Sequence, residues 1–190
     1  KKNKVLKDYY QFIHRNKLRI INENKKDIKN AINKKLKQNL IKRLELNDKK
    51  ILEIINTIKN IIKLKDPTNV ILEKWKRSNG LNISKITIPM GVIGIIYESR
   101  PNVTSDVASL CFKSGNPVIL KGGSEAFYSN RILSQLFRKS LIKNKIDQNF
   151  VQFIDLKNRK VVDILLTKMN KLIDIIIPRG GKNLVKKVQD

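Results

Sequence analysis

Beyond Pro89 short contiguous apolar runs alternate with segments of helical period, a pattern that few architectures accept. The runs are Val92 to Tyr97, Pro117 to Leu120, Phe150 to Ile154 and Ile173 to Ile177. Between them Thr104 to Lys113, Glu125 to Ile142 and Arg159 to Met169 read as helices, and Lys182 to Val188 begins another. Strands that are apolar on both faces and joined by helices predict a parallel sheet covered on both sides. The expected class is therefore α/β, with a doubly wound sheet whose ligands meet the strand-to-helix turns.

The residues before Pro89 read differently. From Tyr9 to Ile32 apolar side chains recur at three- and four-residue steps, the spacing of an amphipathic helix. A second such run, Ile51 to Ile62, follows Asn47 and Asp48, either of which can cap it, and Asp66-Pro67 ends it. Residues 71 to 88 predict a β-hairpin around Ser78-Asn79-Gly80, since an Asn-Gly pair supplies the positive φ values of a tight turn. Its second strand slips by one residue between Ile83 and Ile86, and the hairpin reads as exposed and free to pair with something else.

Composition narrows the function classes. A chain of 190 residues with 41% hydrophobic residues can bury a core, which argues against general disorder. No stretch reads as a membrane span or signal peptide, so a soluble protein is expected. With one cysteine, Cys111, and one histidine, His14, there is no intramolecular disulfide, no multi-cysteine zinc site and no His-rich metal centre, and the reducing cytoplasm is the natural compartment. The opening residue is Lys, which suggests a missing or processed start. Lys and Arg number 41 against 16 Asp and Glu, a net charge of +25 that invites nucleic acid. The excess, however, is Lys such as Lys25, Lys26, Lys29, Lys34, Lys35 and Lys37, with no interleaved aromatic platform, and fits solvated helix faces with nonspecific polyanion binding.

Three turns carry candidate chemistry. The first, Glu98-Ser99-Arg100-Pro101-Asn102, crowds an acid, a hydroxyl, a cation and an amide together. Asn102 can donate toward an oxyanion; alternatively Glu98 pairs with Arg100, and Asn102 or Thr104 caps the following helix. The second, Lys121-Gly122-Gly123-Ser124-Glu125, lets backbone approach a ligand whose ribose and phosphates the flanking polar groups can hold, although it lacks the spacing of the common dinucleotide and P-loop motifs. The third, Arg179-Gly180-Gly181-Lys182, opens a helix whose free N–H groups suit a pyrophosphate. Cys111 shares an apolar helical face with Val103, Val107 and Leu110 and reads as core rather than nucleophile, and His14 has no assigned role.

In this order the turns resemble one family. IPMGVIGIIYESRPNVTSDVASLCFKSGNPVILKGGSEAFYSNR (88 to 131), with WKRSNGLNI (75 to 83) ahead and IDIIIPRGGKNLVKKV (173 to 188) behind, looks like the glutamate-5-semialdehyde dehydrogenases, or γ-glutamyl phosphate reductases, of the aldehyde dehydrogenase superfamily. The resemblance implies a Rossmann-like cofactor domain of aldehyde dehydrogenase type over 89–190, preceded by helices over 1–70 and the hairpin of 71–88. It implies NADPH-dependent reduction of L-glutamyl 5-phosphate to glutamate 5-semialdehyde in proline biosynthesis, with thiolate attack on the acyl phosphate and hydride reduction of the thioester. Lys121 with Ser124 and Glu125 would then hold the adenosine ribose and its 2′-phosphate, Gly122 and Gly123 would also bind the cofactor, and Gly180 and Gly181 would face the pyrophosphate. Ser99 and Arg100 would face the substrate, Asn102 would be the oxyanion donor, and the hairpin would serve homo-oligomerisation. The family's nucleophilic cysteine lies in a domain further along, so the expectation is an incomplete NADP-binding portion without a catalytic domain, inactive alone. The competing expectation is a basic nucleic-acid or polyanion-binding module on a retained α/β fold.

Overall fold

The computed structural model describes residues 1–158, 160–169 and 171–189. Four helices lead: α1 (Lys2–Arg15), α2 (Lys17–Asn33), α3 (Gln38–Leu44) and α4 (Asp48–Lys63). The single periodic run predicted from Tyr9 to Ile32 is two helices, broken at Asn16, whose side-chain amide donates to the Phe12 carbonyl at 2.8 Å. The Asn16 backbone N–H reaches the same carbonyl at 3.0 Å, so side chain and backbone together close the end of α1. Asn47, of the two candidates, caps α4 by accepting from the Lys50 N–H at 3.0 Å. Helix α3 was not anticipated, because its seven residues offer only Leu40, Ile41 and Leu44 as an apolar signal.

The hairpin comprises β1 (Ile71–Lys76) and β2 (Asn82–Ile86), antiparallel, with a bulge between Ile71 and Glu73. Only Gly80 of the Asn-Gly pair has positive φ, at 87°. The Gly80 N–H donates to the Arg77 carbonyl and the Arg77 N–H to the Leu81 carbonyl, so a three-residue loop replaces the two-residue turn that needs two positive φ values. Every residue of β1 is exposed.

The alternating half follows the expectation closely: β3 (Ile93–Tyr97), α5 (Asn102–Lys113), β4 (Val118–Gly122), α6 (Phe127–Lys143), β5 (Val151–Phe153), α7 (Lys160–Thr167), β6 (Ile175–Arg179) and α8 (Lys182–Gln189). A 3-10 turn, Ser124–Ala126, precedes α6, and the predicted helix start at Arg159 lies outside the described residues. All four strands run parallel in the order β5-β4-β3-β6. β3 is buried along its whole length, with successive side chains sent to opposite faces. Ile93, Ile95 and Tyr97 join a large cluster with α1, α4, α5 and α6, whereas Ile96 packs with Leu165 and Ile173 beneath α7 and α8. The edge strand β6 is less covered, with Ile175 and Ile177 exposed.

The N-terminal helices share this core. Tyr9 is fully buried; its hydroxyl lies 2.7 Å from Ser105 Oγ and donates to the Leu133 carbonyl, which pins α1 to α5 and α6. Asp27, on α2 and 1% exposed, accepts from the Tyr128 N–H at 3.1 Å, the Ser129 N–H at 2.8 Å and the Ser129 hydroxyl at 2.7 Å. It thereby caps α6 from another helix, where the dipole favours a negative charge. Burial pushes the Asp27 carboxyl above its ordinary range, and the three hydrogen bonds only partly offset this. Asp27→Ala leaves two buried donors and one partly buried donor unpaired and should cost about 3 kcal/mol in urea denaturation, with Asp27→Asn losing less.

Where α4 gives way to the hairpin, Asp66 accepts from Lys2 Nζ at 2.8 Å and from the Thr68 hydroxyl and N–H. The Lys2 bond, with help from Thr68 and opposed by burial, lowers its carboxyl from 3.8 to about 2. A depressed folded value stabilises the fold above the unfolded value and loses that contribution as pH falls through the folded one. Acid titration of Asp66→Asn, followed by circular dichroism, should show a shallower stability loss between pH 4 and 2 than the parent chain.

Candidate functional site

Parallel register brings three strand ends level. Tyr97 stands opposite Gly122 on one side and Arg179 on the other, so the turns after β3, β4 and β6 open at one rim of the sheet. The chain leaves β3 toward β4 and β5, then crosses back to place β6 on the other side, which makes the β3–β6 boundary the topological switch point. Glu98 is the meeting place. A Cβ on Gly123 would lie 3.5 Å from the Glu98 backbone, and one on Gly180 would lie 2.6 Å from the Glu98 carboxyl carbon. The Gly181 N–H donates to Glu98 Oε1 at 3.2 Å, so the carboxylate sits at the N-terminus of α8.

Around it lies a cavity of about 420 Å³ lined by Arg43, Arg100 and Arg179 as well as Glu98 and Ser99. A second cavity, about 370 Å³, shares Arg43 and Arg100 and reaches Asn102 and Asp106. The first turn thus departs from the pairing and capping alternative. Among the described contacts Glu98 and Arg100 form no ion pair, and α5 begins after Pro101, an N-cap residue with no side-chain cap bond. Asn102 Nδ2 instead donates to Asp106 Oδ2 at 3.0 Å, which uses one of its two amide hydrogens. Burial raises the Asp106 carboxyl, against the pull of Asn102 and the charge of Arg179.

At the second turn Lys121 is 5% exposed and its ammonium donates to the Gly122 carbonyl at 2.9 Å. Beneath the turn Tyr97 donates to Thr104 Oγ1 at 2.7 Å, and Thr104 donates to Asn130 Oδ1 at 2.9 Å. This buried chain fixes the end of β3 to α5 and α6. Ser124 and Glu125 lie about a separate small cavity with Lys34 and Lys157. Sequence reasoning missed Arg43, Lys34, Lys157 and Asp106. The first two belong to helices whose function no local motif announces, and the others look like ordinary surface charges until the fold gathers them.

No protein-family model matches the chain. Its sequence is 46% identical over 135 residues to a gamma-glutamyl phosphate reductase of Desulforamulus reducens, covering 71% of the chain and 32% of that relative. A crystal structure of gamma-glutamyl phosphate reductase from Thermotoga maritima superposes with a TM-score of 0.96 at 38% identity, over 100% of the chain and 45% of the other. The chain matches the N-terminal part of gamma-glutamyl phosphate reductase. A probable aldehyde dehydrogenase from Listeria monocytogenes, at 12% identity and TM-score 0.71, covering 99% of the chain and 38% of its own, shares the fold. The chain spans about a third of the length of the curated relatives it matches.

Among the described residues no cluster of His, Cys, Asp and Glu could hold a metal, and no helix is long and apolar enough to cross a membrane. Cys111 is buried in the main core, and burial pushes its thiol up to about 11. Thiolate chemistry is therefore closed to it near neutral pH. Treatment with 5,5′-dithiobis(2-nitrobenzoate) at pH 8 should release one equivalent of chromophore only after denaturation; rapid labelling of the native chain would contradict this placement.

Proposed function

We propose that the chain forms the dinucleotide-binding part of a gamma-glutamyl phosphate reductase, an NADPH-dependent oxidoreductase that reduces L-glutamyl 5-phosphate to glutamate 5-semialdehyde with release of phosphate, in the proline pathway of the cytoplasm. The supporting observation is the convergence of both glycine-bearing corners on Glu98 at the switch point, in a chain 46% identical to a named reductase. The donor set suits a nicotinamide dinucleotide. The start of α8 lies just after Gly181, whose N–H already holds the Glu98 carboxylate, Gly180 has no side chain to obstruct a phosphate, and three guanidiniums line the adjoining cavity.

NADPH, when bound, supplies the hydride. The chain's own residues do the holding. Gly180 and Gly181 present backbone to the pyrophosphate, with the Glu98 carboxylate withdrawing from the place it fills. Lys121, Gly122, Gly123, Ser124 and Glu125 take the adenosine ribose. Arg100, with Ser99 beside it, is the partner for the carboxylate or phosphate of L-glutamyl 5-phosphate, and the second hydrogen of the Asn102 amide is left for a developing oxyanion. Cys111, buried as it is, does not serve as the nucleophile. The partition into helices over 1–70, hairpin over 71–88 and cofactor domain over 89–190 assigns the hairpin to self-association. It exposes Ile71, Leu72, Trp75 and Ile86, and an isolated two-stranded ribbon is marginal by itself.

Titration calorimetry with NADPH tests the reading. Saturable binding at one site should persist at 0.2 M salt and weaken at least about tenfold in Gly180→Val, whose side chain fills the phosphate position. Binding that any polyanion reproduces and that falls by orders of magnitude between 50 and 200 mM salt would instead favour a basic nucleic-acid or polyanion module.

A further inference from the structure

Between α1 and α4 lies a groove of about 430 Å³ that shares no lining residue with the cavities at the sheet rim. Lys4 and Lys7 reach it from α1 and Lys59 and Lys63 from α4, all four exposed, while the half-buried Tyr10 and Ile62 give it an apolar floor. Spacings of three and four residues put each lysine pair on one helix face, where like charges repel. Among the described residues none of the four makes an ion pair, and no carboxylate lines the groove. The charge of Asp8 is felt at Lys4, yet that carboxylate is 7% exposed and takes its side-chain hydrogen bonds from Lys143 and Asn144. A fifth cation stands behind the floor. Lys113, 5% exposed at the end of α5, donates to Asn3 Oδ1 at 2.6 Å and to the Ile62 carbonyl at 3.3 Å, and Asn3 and Ile62 both line the groove. Both acceptors are neutral, so among the described contacts a buried ammonium has no counter-charge, an arrangement that protein interiors seldom carry.

We propose that this groove binds a nucleoside triphosphate, with the polyphosphate among the lysines and the base against Tyr10 and Ile62, as a second site independent of the dinucleotide reading. Its volume is that of a small-molecule pocket. Ammonium groups around an aromatic and aliphatic floor complement a ligand that joins a polyanion to a flat ring. A bare polyphosphate leaves the floor unused, and an uncharged aromatic leaves the lysines unused. Lys59 is placed before any ligand arrives, its ammonium 5.4 Å from the centre of the Tyr10 ring, so it loses less freedom on capturing an anion than a cation free in solvent. Neither α1 nor α4 shows such a site alone, because the ring and two of the lysines meet the other two only when the helices pack.

The test is calorimetric binding of adenosine triphosphate, inorganic triphosphate and NADPH at 0.15 M salt. It compares the parent chain with Lys59→Gln/Lys63→Gln and with Lys74→Gln/Lys76→Gln, an equal loss of charge on the exposed strand β1. Adenosine triphosphate should saturate one site, about tenfold more tightly than triphosphate because the base stacks. The α4 pair should weaken it about tenfold and the β1 pair less than about twofold, with NADPH within about twofold in both. Absence of saturable binding, equal weakening by the two pairs, or triphosphate binding as tightly as the nucleotide overturns the proposal. So does loss of adenosine triphosphate binding in Gly180→Val, which would place the nucleotide at the rim. A short oligothymidylate that binds more tightly than adenosine triphosphate and loses that binding in the α4 pair also overturns it, in favour of a nucleic-acid surface. Thermal unfolding of each variant, expected to match the parent, separates lost recognition from lost fold.

Discussion

The carboxylate of Asp27, buried between α2 and α6, holds together parts of the molecule that the chain keeps about a hundred residues apart. Three N–H and O–H donors at the start of α6 point at it, and no other described side chain satisfies them. Burying a carboxylate is costly, and the upward shift of its pKa records the cost. The cost is tolerated because an unsatisfied helix start in the same place would be worse. Since α6 is the continuation of the Gly122 to Glu125 turn, whatever fixes the first turn of α6 also fixes that corner. Asn24 extends the same seam: its amide donates to Ser129 Oγ and the Leu44 carbonyl, and its oxygen accepts from the Leu46 N–H. The helical N-terminal segment is therefore part of the scaffold on which the site is built, and α3, which carries Arg43, is hung from it.

Electrostatics at the rim follow from this assembly. Arg179 comes with β6, Arg100 with the turn after β3, and Arg43 from the N-terminal helices, so three separate elements each bring one guanidinium to one cavity. Like charges gathered this way repel unless an anion lies among them, and Glu98 is the carboxylate the chain itself supplies there. Its bond to the Gly181 N–H puts an anion where the helix dipole favours one. Any phosphate entering at α8 must displace a side chain already enjoying part of the same stabilisation, so the net gain on binding is smaller than the bare geometry of the helix start would give.

How much of this was legible beforehand depends on whether the signal was local. β3 to β6 announced themselves because strands buried on both faces must be apolar throughout, whereas their order, β5-β4-β3-β6, came only with the structure. The break at Asn16 was not legible, since apolar spacing on either side stays in phase and only a side-chain bond to Phe12 marks the end of α1. The hairpin was located correctly, but its turn type was not, because Asn79 can occupy an ordinary position when Gly80 alone takes the left-handed one. The residues Lys121 and Asn102 stand out by type, yet where their polar atoms point is decided by near neighbours that no motif specifies: the adjacent Gly122 carbonyl for one, Asp106 one helical turn on for the other. Arg43 and Lys34 could not be found at all from local pattern, being two cations among many on amphipathic helices.

The surplus of lysine can now be divided by place rather than counted. Lys25, Lys29, Lys35 and Lys37 lie exposed on and just beyond α2 with no role in either cavity at the β3–β6 rim, as solvated faces should. Lys113 and Lys143 serve structure, the first donating to Asn3 and the Ile62 carbonyl, the second paired with Asp8. Burial acts on Asp8 to raise its carboxyl, but the bonds from Lys143 and Asn144 outweigh it and keep the group below its ordinary range, hence charged at neutral pH. A net charge spread over such different duties cannot identify a partner by its size. What distinguishes the rim and the groove between α1 and α4 from the rest of this basic surface is that their cations converge from separate elements on a concave site, and convergence of that kind depends on tertiary structure rather than on composition.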